Sequence, residues 1–395
     1  MSDRIEVKFA KSSNPDAAAA VSELLEATRT TKKPTAVFFF CSPKYNLQEL
    51  GAAIKASFDA PTIGCTSAGE ILGSVGYMEG TIVLCVIASN ELRMSPKLFK
   101  NLDEFVREES YRTTRSTAFW KLAENTDEAS EQHNPLDSEL LNYLDRKNSF
   151  SILLVDGLSR LEEQITTLVT NALRDIDLVG ASAGDGEDYK HAFVYYDGSF
   201  YENAAVLAIC ETTLPFQAFR IDHFEPTDKR LVITSADSTK RIVYSINDRP
   251  AAAEYARLVG VEVGDLTRHI CTANPFMLQI GGEHYILSVY QANPDGSLSF
   301  FCSIEEGLVC VLAKPTDIVE NLRSGLEKVK NTLPNLSFIF GGDCVLRRLE
   351  LEELRRRGEA EGVLKEYPFI GVSAYGEQFN GLHVNQTLTA LAIGG

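Results

Sequence analysis

The apolar residues of this chain fall into runs whose period changes from one element to the next. AVFFFCS, from Ala36 to Ser42, is a continuous apolar stretch stopped by Pro43, the pattern of a strand covered on both faces. Leu47, Leu50, Ile54 and Phe58 follow at helical spacing. PTIGCTSAGEI, from Pro61, then runs a second apolar strand into a bend of small and polar residues, and TIVLCVIAS, from Thr81, closes the segment. The same order returns with SILLVDG (Ser151 to Gly157), a helix marked by Leu161, Ile165, Leu168 and Ala172, and the bend in LVGASAGDG. It returns a third time with SFIFGGDC from Ser337, a helix carrying Arg347 and Arg348, the bend IGVSAYGE at Ile370, and a closing strand. The bend glycines Gly64, Gly180 and Gly371 follow strands that begin at Ala36, Ser151 and Ser337. Three such bends in one supersecondary context indicate duplication.

The pattern predicts an α/β fold of mixed-sheet layers, built from repeated strand-helix-strand-bend-strand units with a β-rich region before the last one. Its connections are too long and irregular for a Rossmann or TIM pattern. The third buried strand is expected to break at Gly341 and Gly342, with Cys344 at the break. Asn14 is placed as the cap of a first helix, and Thr316 as the cap of a helix carrying Ile318, Leu322, Leu326 and Val329. HAFVYYDGSFYENAAVLAIC reads as a hairpin turning at Asp197-Gly198, and FMLQIGGEHYILSVYQ as another over Gly281-Gly282. Residues 101–148, acidic, polar and holding Trp120, read as a helical insertion or partner-facing flap. The expected division is an N-terminal domain over 1–215 with two units and that insertion, then a C-terminal domain over 216–395, β-rich over 216–312 with the third unit over 313–395.

Composition narrows the function classes. With 38 Lys and Arg against 55 Asp and Glu, the net charge of -17 repels phosphate backbones, so nucleic acid is not expected as a partner. The sequence offers no signal-peptide core and no apolar run of membrane-spanning length, and the expectation is a cytoplasmic protein that does not enter a membrane. Eight scattered cysteines lack any CxxC, CxxCH or zinc spacing and read as reduced core residues.

Candidate chemistry gathers at the bends. Consecutive Gly and Ser residues can curve a backbone into an anion-holding concavity, although none of the bends is a P-loop or a GxGxxG turn. Glu70 and Glu377 can instead bond their own turns. Cys65, Ser67, Ser182 and Ser373 would each need a histidine base to act as nucleophiles, and no histidine recurs among the three bends. GASAG is not the GxSxG elbow either. Of the histidines at 133, 191, 223, 269, 284 and 383, His223 and His383 stand beside turn and strand residues of mixed polarity. Arg347 and Arg348 can hold carboxylates through guanidinium forks, the plain alternative being a solvated helix paired with Glu350, Glu352 and Glu353.

Several long motifs then resemble one family. GCTSAGEI and IGGEHYILSVYQANPDGSLSFFCSIEEGLV resemble the N- and C-terminal segments of the FIST sensory proteins, and HFEPTD at His223, EYARLVG at Glu254, GGDCVLRRLE at Gly341 and YGEQFNGLHVNQT at Tyr375 resemble its haem-binding, nitric-oxide-sensing NosP branch. The resemblance implies a sensor, not an enzyme, holding haem b without covalent attachment and responding to nitric oxide. It also implies action by contact on a sensor histidine kinase or a cyclic-di-GMP enzyme, with the oligomeric state open. His383 would be the iron ligand, with His223 and then Cys344 as alternatives; Arg347 and Arg348 would face propionates, and Tyr375 would wall the pocket. Two other functions compete: a FIST module binding an amino acid or another small metabolite beside the bends, and a hydrolase using Cys65 or Cys344.

Overall fold

A computed structural model describes residues 4–109 and 145–395. Most of the expected helical insertion, with Trp120 and His133, lies outside the described residues; its first turns, 102–109, are helical. Each of the three units contributes four strands to one sheet. In the first, Glu6–Ser12 pairs antiparallel with Ile82–Ala88, which pairs antiparallel with Ala36–Cys41, which runs parallel to Thr62–Thr66. Leu92–Lys100, Ala204–Thr212, Ser149–Asp156 and Asp177–Ala183 repeat that order, and so do Phe216–Ile221, Leu388–Gly394, Leu336–Cys344 and Phe369–Ala374.

The remaining two strands of every sheet come from another unit. The hairpin Glu70–Leu72/Gly76–Met78, which follows the first bend, completes the third unit's sheet. The hairpin Glu377–Phe379/Leu382–Val384, after the third bend, completes the second's, and Val194–Tyr196/Ser199–Tyr201, after the second bend, completes the first's. The exchange is cyclic, first to third, third to second, second to first. No sheet is complete without a neighbour, so the three bends are drawn to one centre.

Alternation along the buried strands builds the core around that centre. Phe38 and Phe40 point inward and meet Phe338 and Phe340, at ring-centroid distances of 5.5 and 5.8 Å for Phe38–Phe338 and Phe40–Phe340. Val37, Phe39 and Cys41 point outward under the helices Ala17–Ala27 and Leu47–Ser57. Glu162–Leu173 covers the second sheet, and Ile318–Thr332 with Arg357–Leu364 the third. A continuous apolar run is what a strand needs when both its faces are covered. The β-rich region forms a separate eight-stranded sheet with its own core around Tyr255, Phe276 and Phe300. The fold is the expected mixed α/β class.

Several local expectations change. The strand Leu336–Cys344 does not break at its glycines. A Cβ on Gly341 would come within 2.4 Å of the Phe369 ring, and one on Gly342 within 2.9 Å of Ala181 Cβ, so the glycines permit close packing instead of a turn. The first helix is capped by Asp16, whose carboxylate takes the Ala19 N–H, while Asn14 accepts from Asp16 N and donates to Glu23. Asp317 caps the helix at Ile318, because the Thr316 hydroxyl is turned to the His223 carbonyl. The hairpin turn at Asp197-Gly198 stands as read.

Candidate functional site

The bends are stitched together by backbone bonds. Ala68 N donates to Ser373 O at 3.0 Å and Ser373 N to Gly69 O at 2.7 Å; Ser182 N donates to Gly376 O at 2.8 Å and Tyr375 N to Ser182 O at 3.1 Å; Gly184 N donates to Thr66 O at 3.1 Å. Each bend also holds a carboxylate. Glu70 accepts from Ser67 Oγ at 2.5 Å and, through its other oxygen, from Thr81 N at 3.0 Å and Thr81 Oγ1 at 2.7 Å. Asp185 accepts from the backbone N–H groups of Tyr189, Lys190 and His191 and from the Tyr375 hydroxyl. Glu377 Oε2 accepts from Thr387 N at 3.3 Å and Thr387 Oγ1 at 2.8 Å, but Oε1 has no hydrogen-bond partner.

That open oxygen has company. Ser373 Oγ, Gln378 Oε1, both polar atoms of the Asn385 amide, Arg348 Nε and Arg347 Nη2 are also buried without a partner; among the described residues the other such side-chain atoms belong only to Tyr45, Thr170 and Tyr195. Leaving a buried donor or acceptor unsatisfied costs about 1–3 kcal/mol, so a concentration of them in one unit marks a place that something polar completes. Registers identify the matching positions of the first unit. Glu70 pairs with Met78 and Ile71 with Tyr77, where Glu377 pairs with Val384 and Gln378 with His383, so Gln378 stands in place of Ile71, His383 of Tyr77 and Asn385 of Glu79. A scaffold apolar pair, Ile71 and Tyr77, has become a polar one.

His383 packs over the third bend. A Cβ on Gly376 would lie 2.2 Å from His383 Cε1, 2.8 Å from its Nε2 and 3.2 Å from Asn385 Nδ2, so only glycine leaves room for the imidazole. Its Nδ1 lies 3.3 Å from Gln378 Nε2, which also bonds Ser182 Oγ at 2.9 Å. Burial opposes ionisation of the nearby Glu163, yet His383 and Arg241 together hold its carboxyl below the ordinary range.

His223 is placed differently. It is fully buried, with Nδ1 3.0 Å from Arg347 Nη1 and Nε2 2.8 Å from Glu350 Oε2. Because a guanidinium only donates, Nδ1 is the acceptor and Nε2 carries the proton toward Glu350. Burial, with Arg347 alongside, pushes the His223 pKa down against the pull of Glu350, so the ring stays neutral with both nitrogens committed. Arg347 continues the chain, donating from Nε to Asp343 at 2.7 Å, and Asp343 accepts from the Tyr77 hydroxyl at 2.5 Å. Arg347 and His223 thus bind each other instead of facing a pocket.

Arg348, also buried, pairs with Glu79 of the first hairpin across a cleft of about 200 Å³. Arg356 and Arg357 keep the surface pairing expected of a solvated helix, with Glu359 and Glu361. Tyr375 walls the centre, stacked on Tyr189 at 4.7 Å. Cys344 begins the helix Val345–Glu353 beside Glu377; burial pushes the thiol and the carboxyl well up, with the charge of Glu377 adding at the thiol and that of Asp343 at the carboxyl. Burial pushes the Cys65 thiol up as well, and a nucleophile needs the thiolate. All eight cysteines are buried and free. Sequence reading missed Gln378 and Asn385, and weighed Ser182 only as a nucleophile. A polar residue at a position where the first copy has Ile71 was the available signal for Gln378.

No helix among the described residues is long and apolar enough to cross a membrane. No curated protein matches the chain. Among solved structures, PurLQS from Thermotoga maritima aligns at 11% identity over 99% of this chain and 72% of that one, with a TM-score of 0.20. T. maritima PurL complexed with ATP aligns at 11% identity over 99% and 71%, also with a TM-score of 0.20, and neither likeness bears on fold or function. Family models do match: the FIST N domain over residues 35–249 and the FIST C domain over 251–380. With those matches spanning both the bends and the β-rich sheet, the chain belongs to the FIST family of sensory signalling proteins.

Proposed function

We propose that this FIST protein senses a small polar ligand, an amino acid or a metabolite of similar size, held at the third bend. The observation that carries this reading is the set of unpartnered buried atoms on Glu377, Gln378 and Asn385, which supplies donors and acceptors together. Asn385 is followed directly by Gln386, a buried residue at φ +52° whose amide accepts from Ser288 Oγ at 2.7 Å and donates to Thr272 O at 2.8 Å in the β-rich region. A ligand that reorients Asn385 therefore pulls on the link between the bends and the second sheet system, a route from occupancy to a partner-facing surface. The test is isothermal calorimetry of the purified protein against pooled and then single amino acids, with Asn385→Leu as control. Saturable binding lost in that variant supports the reading; equal heats in both proteins overturn it.

The resemblance to the nitric-oxide-sensing branch gives a second reading, and one observation favours it at one residue. Rotating the Gln378 amide would turn Oε1 toward Ser182 and His383, so that Nδ1–H donates to it and Nε2 is left as a ligand lone pair, the arrangement that fixes a metal-bound imidazole. His383 fits the part of an axial ligand to haem b; His223 and Arg347, joined to each other, do not. Haem would supply an iron that binds nitric oxide. The protein would then pass the signal by contact to a histidine kinase or a cyclic-di-GMP enzyme. Haemin titration separates the readings: a sharp Soret band lost in His383→Ala and kept in His223→Ala favours haem, and loose binding indifferent to both removes it.

A further inference from the structure

Arg347 and Arg348 are neighbours in one helix and both are buried, but their charges are met in opposite ways. The Arg347 side chain, 0% exposed, is paired with Asp343, 1% exposed, inside the protein. The Arg348 side chain, 4% exposed, is paired through Nη1 with Glu79, whose side chain is 63% exposed; its second carboxylate, Glu352 at 3.9 Å, is 36% exposed. A buried cation ordinarily has a buried counter-charge. Arg348 instead has a solvent-exposed one, and its own Nε has no partner.

The space in front of that guanidinium is the 200 Å³ cleft lined by Ser67, Gly69, Glu79, Gly80 and Asp185. Gly69, at φ +155°, brings bare backbone to its wall: a Cβ there would stand 3.7 Å from Arg348 Nη1 and 3.5 Å from Ser373 Cβ. Ser373 Oγ is the second unpartnered buried atom at this junction. We infer that Arg348 is the floor of a second ligand seat, distinct from the Asn385 site and independent of it, that takes the carboxylate of a small monoanion. Glu79 occupies the seat as a tethered stand-in.

Chemistry selects the class. A carboxylate matches the edge of a guanidinium in two parallel bonds. The surrounding Glu70, Asp185, Glu187 and Asp188 outnumber Lys44, so a dianion such as phosphate is disfavoured where a monoanion is tolerated. Two of those carboxyls are already occupied: burial raises the Glu70 pKa to about 7, and Asp185 is tied to three backbone N–H groups. The volume corresponds to about seven liquid waters, which restricts the ligand to a short chain.

The test uses the full chain and sodium acetate and butyrate at constant ionic strength, reading the arginine Nε–H resonances by NMR. The Arg348 signal is assigned by its loss in Arg348→Lys. Wild type is expected to show a weak saturable shift, and Glu79→Gln, at an exposed position, to lower the half-saturating concentration about tenfold, because a tethered competitor acts at millimolar effective concentration. Inorganic phosphate is expected to shift the signal at least tenfold less effectively. No saturable shift of any arginine Nε–H signal in Glu79→Gln overturns the proposal, an outcome that needs no assignment and so holds even if Arg348→Lys fails to fold. An equal response to phosphate overturns the carboxylate assignment, and a response of unchanged midpoint in Glu79→Gln overturns the stand-in role.

Discussion

The first and third bends share a backbone and differ in what their side chains leave undone. In the first, both Glu70 oxygens are bonded by Ser67 and Thr81, and Tyr77 on its hairpin closes onto Asp343. In the third, Glu377 keeps one oxygen open, His383 replaces Tyr77, and Gln378 and Asn385 are buried with unpartnered atoms. The exchange of hairpins needs the first arrangement, since a closed polar link costs the fold least. Once one copy holds the ring together, another can carry unsatisfied atoms for a ligand. Duplication separated scaffold from site.

The largest effect that would sharpen this contrast is in the closed link. Asp343→Asn leaves Arg347 buried without its counter-charge and is expected to cost about 3–5 kcal/mol in urea unfolding, whereas His383→Ala, at a half-buried position with one long hydrogen bond, should cost far less. Comparable losses would mean that the third bend is as structural as the first. Next comes pH. Burial, outweighing the bonds from Ser67 and Thr81, raises the Glu70 pKa to about 7, above its value in the unfolded chain. The folded protein therefore holds that proton more tightly, and its contribution is full below about pH 4.5 and lost as pH rises toward 7. Glu70→Gln should flatten this fall, on the order of 3 kcal/mol between pH 4.5 and 8. A stability profile that keeps its slope in the variant would assign the titration elsewhere.

Much of the scaffold was legible in sequence because it rests on local patterns: the apolar run at Ala36, the helical spacing of Leu47, Leu50 and Ile54, and the Asp197-Gly198 turn all specify their own elements. The cyclic hairpin exchange was not, because Glu70–Leu72 carries no mark of pairing with Ile370 instead of a strand of its own unit. Gly341 and Gly342 misled for a related reason, since the Phe369 ring and the Ala181 side chain that require them come from elsewhere. Of the site, Tyr375 and His383 stood out as additions to a repeated bend. His223 also stood out, and only its two partners, Glu350 and Arg347, more than a hundred residues away, show how it is held.

Two smaller effects act on the open bend itself. Asn385→Leu removes two buried unpartnered atoms and fits a similar volume, so in the absence of ligand it should stabilise the protein by about 1–3 kcal/mol while abolishing binding. At the first bend, by contrast, replacing its closed carboxylate by Glu70→Met should destabilise the protein, since it strands the Thr81 N–H and hydroxyl. Gly376→Ala is the finest probe. Its φ is not in the left-handed region, so no backbone strain arises, and the new methyl meets the far end of His383, at 2.2 Å from Cε1, and Asn385 Nδ2, at 3.2 Å, both side-chain ends that can swing away. The expected cost is about 1 kcal/mol, the centre of the range for single substitutions. Ligand affinity should nevertheless fall at least tenfold, because the imidazole and Asn385 can no longer share the space above the bend. Denaturation and calorimetry on the same preparation read both numbers. A variant that loses stability and keeps affinity would make the His383 packing a structural feature, and the third bend would then differ from the first only in how its scaffold is built.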